Sequence, residues 1–175
     1  MLKRMGLFLS MIILVGIMAS CSQKTNYAIN EPFIIVTYSP AGPDDFRNMF
    51  SHNYSIYENG KLFLYTEPGK RLRIGDNAPV YETELSKKEV NQVKTLIEQN
   101  KFWKFKEDLS VDSEDGAFLY MTVNLTNESK KVGGLNPNDL KFKELTDHVI
   151  DLVNDTEYEF WKKEITNHIY KMNPE

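Results

Sequence analysis

Tyr54-Ser55-Ile56-Tyr57-Glu58-Asn59-Gly60-Lys61-Leu62-Phe63-Leu64-Tyr65-Thr66 decides the fold. Two runs dense in apolar and aromatic residues, Tyr54–Glu58 and Lys61–Thr66, flank Asn59-Gly60. That pair is the strongest short hairpin signal, because a type I′ turn needs positive φ at both central residues. Pro68-Gly69 ends the hairpin. An antiparallel sheet is therefore expected, and its neighbours extend it. Upstream, Phe33-Ile34-Ile35-Val36-Thr37-Tyr38 is apolar on both faces and stops at Ser39-Pro40-Ala41-Gly42-Pro43, which predicts a central strand and a loop. Downstream, Ala78–Glu84 predicts a fourth strand. Ala117–Leu125 and Lys130–Val132 bracket Thr126-Asn127-Glu128-Ser129, a second hairpin with a short return strand.

Helical periodicity fills the gaps. Ser86-Lys87-Lys88-Glu89 is a capping box, in which the Ser hydroxyl and the Glu carboxylate each satisfy an unpaired N–H of the first turn. Leu85 and Val90 fit the accompanying hydrophobic staple. Val90, Val93, Leu96 and Ile97 then recur at helical spacing, so Lys87–Asn100 is predicted to be an amphipathic helix, with Phe102, Trp103 and Phe105 turning back into the core. Asn136-Pro137 predicts a capped start for a second helix with Phe142, Leu145, Val149 and Leu152 inward. Thr156-Glu157-Tyr158-Glu159 predicts a third, carrying Phe160, Trp161, Ile165 and Ile169 on its inner face. The fold class is α+β: an antiparallel sheet of about six strands with three helices packed mainly on one face.

The first residues carry an address. Lys3 and Arg4 precede an apolar run from Leu7 to Met18, followed by the small residues Ala19-Ser20 and the chain's one cysteine, Cys21. Met18-Ala19-Ser20-Cys21 resembles the lipobox of bacterial lipoproteins, with Met18 where Leu or Val is usual. The resemblance implies cleavage before Cys21, a diacylglyceryl group on its sulfur, and a cell-membrane protein held by lipid on the extracytoplasmic side. The apolar run is shorter than the roughly 20 residues that cross a bilayer. Residues 1–20 are thus expected to be a signal peptide, 21–31 a flexible tether, and 32–175 a single domain. Removing Lys3 and Arg4 takes the net charge from −4 to −6, which argues against nucleic acid. With Cys21 lipidated, no thiol is left for disulfides, catalysis or metal binding.

The order of elements, with Asn59-Gly60, Leu85-Ser86, Phe102-Trp103, Asp115-Gly116 and Asn136-Pro137 at its turns and caps, is also similar to a domain of uncharacterised lipoproteins of Gram-positive bacteria. The similarity spans residues 33–153 and implies no activity and no functional residue.

Candidate chemistry is sparse. No G-x-S-x-G turn is present, and His52, His148 and His168 fall in a predicted loop and on two helices at no metal-ligand spacing. His148 reads as a hydrogen-bonded structural residue. Asp112-Ser113-Glu114-Asp115-Gly116 is dense in oxygen ligands, but Val111 stands where an EF-hand needs its first Asp, so a solvated acidic loop is expected. Gly133-Gly134 lacks the context of a phosphate loop and reads as a tight strand-to-helix turn. No cofactor or metal is expected. The function expected is a non-enzymatic binding module for another envelope protein or an extracellular ligand. The alternatives are a small hydrolase using Glu107, Asp108, Asp112 or Asp115, and an inhibitor presenting the stiff Pro40-Ala41-Gly42-Pro43 loop.

Overall fold

The computed structural model describes residues 25–43, 51–66, 81–113, 115–153 and Lys163. Within them, six strands form one antiparallel sheet: β1 (Ile34–Pro40), β2 (His52–Ile56), β3 (Lys61–Thr66), β4 (Tyr81–Glu84), β5 (Ala117–Asn124) and β6 (Ser129–Leu135). Their spatial order is β4-β3-β2-β1-β5-β6. The doubly apolar segment is central as expected, β1 pairing with β2 on one side and β5 on the other.

Between β4 and β5 lie helix α1 (Lys87–Gln99) and a single 3-10 turn (Phe102–Lys104), and after β6 comes helix α2 (Leu140–Ile150). The α+β class stands, with two α-helices rather than three among the described residues. Of the third expected helix only Lys163, in helical conformation, is among the described residues. The capping box forms as its sequence requires. Ser86 Oγ accepts from the Glu89 N–H at 3.3 Å, and the Glu89 carboxylate accepts from the Ser86 N–H at 2.7 Å. Val90, Val93 and Ile97 of α1 and Phe142, Leu145 and Val149 of α2 are buried in one cluster with Ile34, Val36, Tyr54, Ile56, Leu62, Leu64, Met121, Val123 and Val132. Strand alternation and register place all of those strand residues on one face of the sheet, which is the face the helices cover. At roughly 1.5 to 3 kcal/mol for each large apolar side chain fully buried, this layer is the main source of stability.

Several local expectations give way to longer-range geometry. In the β2–β3 hairpin only Gly60 has positive φ (+93°), so the connection is not type I′. Tyr57 N–H donates to the Lys61 carbonyl and Gly60 N–H to the Tyr57 carbonyl, giving a three-residue loop with Gly60 in the left-handed bulge position. A side chain at Gly60 would also meet the Leu85 carbonyl oxygen at 2.5 Å, so the hairpin tip seats directly on the entry to α1. Gly133-Gly134 is not a turn but lies inside β6, at φ of +146° and +153°. A Cβ on Gly133 would lie 2.1 Å from the Leu119 carbonyl oxygen, which is main chain and cannot rotate away.

Asn136 does not cap α2. Asp139 does, accepting from the N–H groups of Lys141 and Phe142. Asn136, at φ +48°, accepts from Ala117 N–H and donates to the Asp115 carbonyl, which ties the start of β5 to the end of β6. His52 lies in β2, not in a loop, with its ring 5.0 Å from Tyr38 and 5.4 Å from Tyr54. Within the span expected to be a tether, Tyr27 and Ala28 are buried. Tyr27 bridges to Leu125, and Ala28 N–H donates to the Asn124 carbonyl at 3.0 Å, so order begins before Pro32.

Candidate functional site

The sheet has a second face, and none of the described helices packs on it. In β3 and β5 the sequence alternates aliphatic and aromatic residues. Leu62, Leu64, Leu119, Met121 and Val123 point to the helices, while Phe63, Tyr65, Phe118 and Tyr120 fall on the other side. Register aligns these with the intervening strands. One cross-strand row reads Tyr65, Asn53, Thr37, Tyr120, and the next reads Phe63, Ser55, Ile35, Thr122. The first row carries aromatic residues on β3 and β5 with Asn53 and Thr37 between them, and the second runs from Phe63 through the buried Ser55 and through Ile35 to Thr122. The aromatic side chains are half-buried, none of them sealed in a core.

The rings are braced by one another. Tyr57, just past β2, meets Phe63 edge-on with centroids 5.5 Å apart, and Phe63 lies 6.1 Å from Tyr65. Phe118 and Tyr120 are stacked with ring planes 4° apart. Charges at the margins are matched: Lys61 Nζ lies 3.3 Å from Glu82 and 5.7 Å from the centre of the Phe63 ring, and the Lys131 ammonium sits 4.2 Å over Tyr120. Burial raises the pKa of the Tyr65 phenol, and Tyr57, whose hydroxyl it bonds, and Glu82 raise it further.

The residues singled out from sequence do not assemble into a second site. Glu107, Asp108, Asp112 and Asp115 are exposed. Glu107, Asp108, Leu109 and Val111 belong to a segment that runs parallel to the outer edge of β6. There Gly133 N–H donates to the Glu107 carbonyl, and Leu109 and Val111 N–H groups donate to the carbonyls of Gly133 and Leu135. The Ser110 hydroxyl and N–H lower the pKa of Asp108, the opposite of what a general acid requires. Among the described residues no three His, Cys, Asp or Glu side chains are grouped to hold a metal. His148 is half-buried on α2, with its Nε2 enclosed and without a hydrogen-bond partner among the described residues, contrary to the bonded role expected of it. His168 and Glu114 lie outside the described residues.

Pro40 is buried as the last residue of β1 and Ala41 N–H is bonded to the Gly116 carbonyl, so the first half of the proline loop is held to the sheet. Phe102 is in the core with Trp103 and Phe105 packed against it, which makes that aromatic cluster structural. Cys21 lies outside the described residues. A cavity of about 290 Å³ between the hairpin tip and α1 is walled by the Lys94–Glu58 ion pair, and an open groove of about 560 Å³ separates α1 from α2.

No protein-family model and no curated protein matches the chain. No helix among the described residues is long and apolar enough to cross a membrane.

The sheet face opposite α1 and α2 is the feature that strand-by-strand reading missed. The alternation in Leu62-Phe63-Leu64-Tyr65 and in Phe118-Leu119-Tyr120-Met121 was a usable signal, since aliphatic residues suit a dry core and aromatics with polar neighbours suit a half-wet surface.

Proposed function

We propose that this protein is a membrane-anchored extracytoplasmic lipoprotein that acts as a binding module. Lipid on Cys21 holds it to the cell membrane, and the face of the sheet opposite α1 and α2 receives an envelope or extracellular ligand. What supports the binding role is the placement of five aromatic side chains, Tyr57, Phe63, Tyr65, Phe118 and Tyr120, on the face opposite the helices. Aromatic side chains at such half-buried positions supply large contact area at little cost in conformational entropy. The anchor is supported by the Met18-Ala19-Ser20-Cys21 pattern at the end of an apolar run. Two acyl chains on one residue give stable attachment where a single chain is marginal.

The test uses the full chain in intact bacterial cells, with a photoreactive side chain placed at Thr122 on that face or at Gln92 on α1. Adducts formed from position 122 and absent from position 92 are the expected result. Adducts only from position 92, or none from 122, would overturn the assignment of that face as the binding surface.

A further inference from the structure

We infer that the domain stands on the bilayer by one end of its sheet, with Ile29 in contact with lipid. This inference rests on the lipid-anchor reading and adds the surface that meets the membrane. The chain is fixed to the sheet well before Pro32. The Asn26 carbonyl accepts from the Thr126 N–H at 2.9 Å and from the Thr126 hydroxyl at 3.2 Å, and Tyr27 bridges to Leu125. Asn26 is five positions past Cys21. A link of that length reaches no more than roughly 18 Å when fully extended, and about 12 Å on average when flexible. The strand it leads to is longer, since the eight residues of β5 run about 24 Å from Asn124 to Ala117. Lipid on Cys21 is therefore tied close to the Asn124 end of the sheet, and the Ala117 and Pro40 end is held away.

The surface at that end suits a bilayer. Ile29 is 76% exposed, an apolar side chain three positions from the point where the chain is fixed. The Gly60 carbonyl accepts from the Leu85 N–H, which sets the hairpin tip and the first turn of α1 side by side at the same end. The mature chain is net negative, yet here the exposed Lys87 and Lys88 offset the exposed Glu31 and Glu128, and Lys61 lies opposite Glu84. This end is spared the repulsion that an acidic surface meets at anionic lipid, and it has no net attraction for salt to screen. Leu140, 83% exposed, is the control that the fold itself supplies. It follows the corner where Asn136 accepts from Ala117 N–H, at the far end of β5. Two apolar side chains are thus exposed at opposite ends, and the short link brings only Ile29 to lipid. One such side chain adds little affinity, so the acyl chains hold the protein and Ile29 fixes which end turns down.

The deciding experiment takes the full chain, processed in bacterial cells, into vesicles of phosphatidylethanolamine and phosphatidylglycerol. With Cys21 lipidated, a cysteine introduced by Ile29→Cys or Leu140→Cys is the one free thiol, and it carries an environment-sensitive fluorophore. Both positions are exposed, so both variants are expected to keep the wild-type melt. The label at position 29 is expected to emit further to the blue than the label at 140 and to be quenched by lipids bearing nitroxides on their acyl chains. Position 140 is expected to stay unquenched, and salt to change neither result. About fifteen Gly and Ser residues inserted between Ser22 and Gln23 lengthen the link roughly fourfold, and quenching at position 29 is expected to fall several-fold. Quenching at 140 but not at 29, equal quenching at both, none at either, or quenching at 29 undiminished by the longer link would overturn the inference. A chain that floats with the vesicles and gives any of those results keeps the lipid anchor and loses only the orientation. A wild-type chain that stays in solution, or whose Cys21 takes up the thiol label, removes both.

Discussion

Lys130 reaches through the inner side of the sheet to Phe105, its Nζ donating to the Phe105 carbonyl oxygen at 2.7 Å. The same ammonium donates to the Trp103 carbonyl at 2.9 Å, so one lysine closes the 3-10 turn that follows α1. Its neighbour Lys131 points to the opposite face, over Tyr120. Lys130→Met retains the stem and strands two carbonyls, and it is expected to destabilise the fold by about 1 to 3 kcal/mol. Lys131→Met removes only an exposed cation–π contact and is expected to change stability by less than about 1 kcal/mol. Urea melts of the two variants side by side check the asymmetry, and equal effects would mean that Lys130 is not holding the turn.

The Ser86–Glu89 cap makes a separate prediction. Ser86→Ala is expected to lower stability by about 0.5 to 2 kcal/mol, and Ser86→Asp to restore most of it, because a carboxylate accepts the same N–H and suits the positive end of the helix. Hydrogen bonds from Ser86, by its side chain first and its backbone next, hold the Glu89 carboxyl below its ordinary value of 4.5. A lowered folded-state pKa contributes stability that is present above the ordinary value and lost as pH falls through the lowered one. Glu89→Gln is therefore expected to flatten this part of the stability profile between neutral and acid pH. Unfolding midpoints measured at several pH values would show it, and an unchanged slope would count against the cap.

What could be read from the chain were signals confined to a few residues: the capping box at Ser86, the hairpin at Asn59-Gly60, and the two-sided apolar run that became β1. What could not be read depended on distant partners. Gly133 and Gly134 resembled a turn because their actual reason, the approach of the Leu119 carbonyl and of Ser110, comes from segments more than ten residues away. Asn136 looked like a cap because Pro137 follows it, whereas its left-handed backbone lets the side chain bind both sides of the Asp115–Ala117 corner. The face opposite α1 and α2 emerges only once register is known, since alternation within a strand says which residues share a side but not which strands lie beside each other.

Tyr27 joins the supposed tether to the core. It is 5% exposed, meets Phe33 edge-on at 5.3 Å, and has the Lys94 ammonium 5.2 Å from its ring centre. Tyr27→Ala is expected to cost about 3 kcal/mol, and a chain starting at Glu31 is expected to melt well below the full-length protein. Its hydroxyl is enclosed with no hydrogen-bond partner among the described residues, so Tyr27→Phe is expected to be neutral or stabilising. Burial, then the charges of Glu98 and Glu58, raise the phenol's pKa above its ordinary value of 10.0. The unfolded chain then releases this proton first, so stability falls as pH rises past about 10, and Tyr27→Phe is expected to lose that alkaline sensitivity. Thermal melts at pH 8 and above 10 separate the two outcomes.

The anchor prediction turns on a single atom. Cys21 carries the chain's one thiol, so no other residue can take its place in a thioether to diacylglycerol. Cells expressing the wild type and given radiolabelled palmitate are expected to incorporate label into this protein and to retain it in the membrane fraction. Cys21→Ala is expected to abolish the label and leave the precursor uncut, because in lipoprotein processing the lipidated cysteine is what marks the cleavage site. Cys21→Ser keeps the polarity and size of the side chain but offers oxygen in place of sulfur, and it is expected to behave like the alanine variant. Label on either variant, or none on the wild type, would remove the lipid anchor while leaving the binding face to be judged on its own experiments.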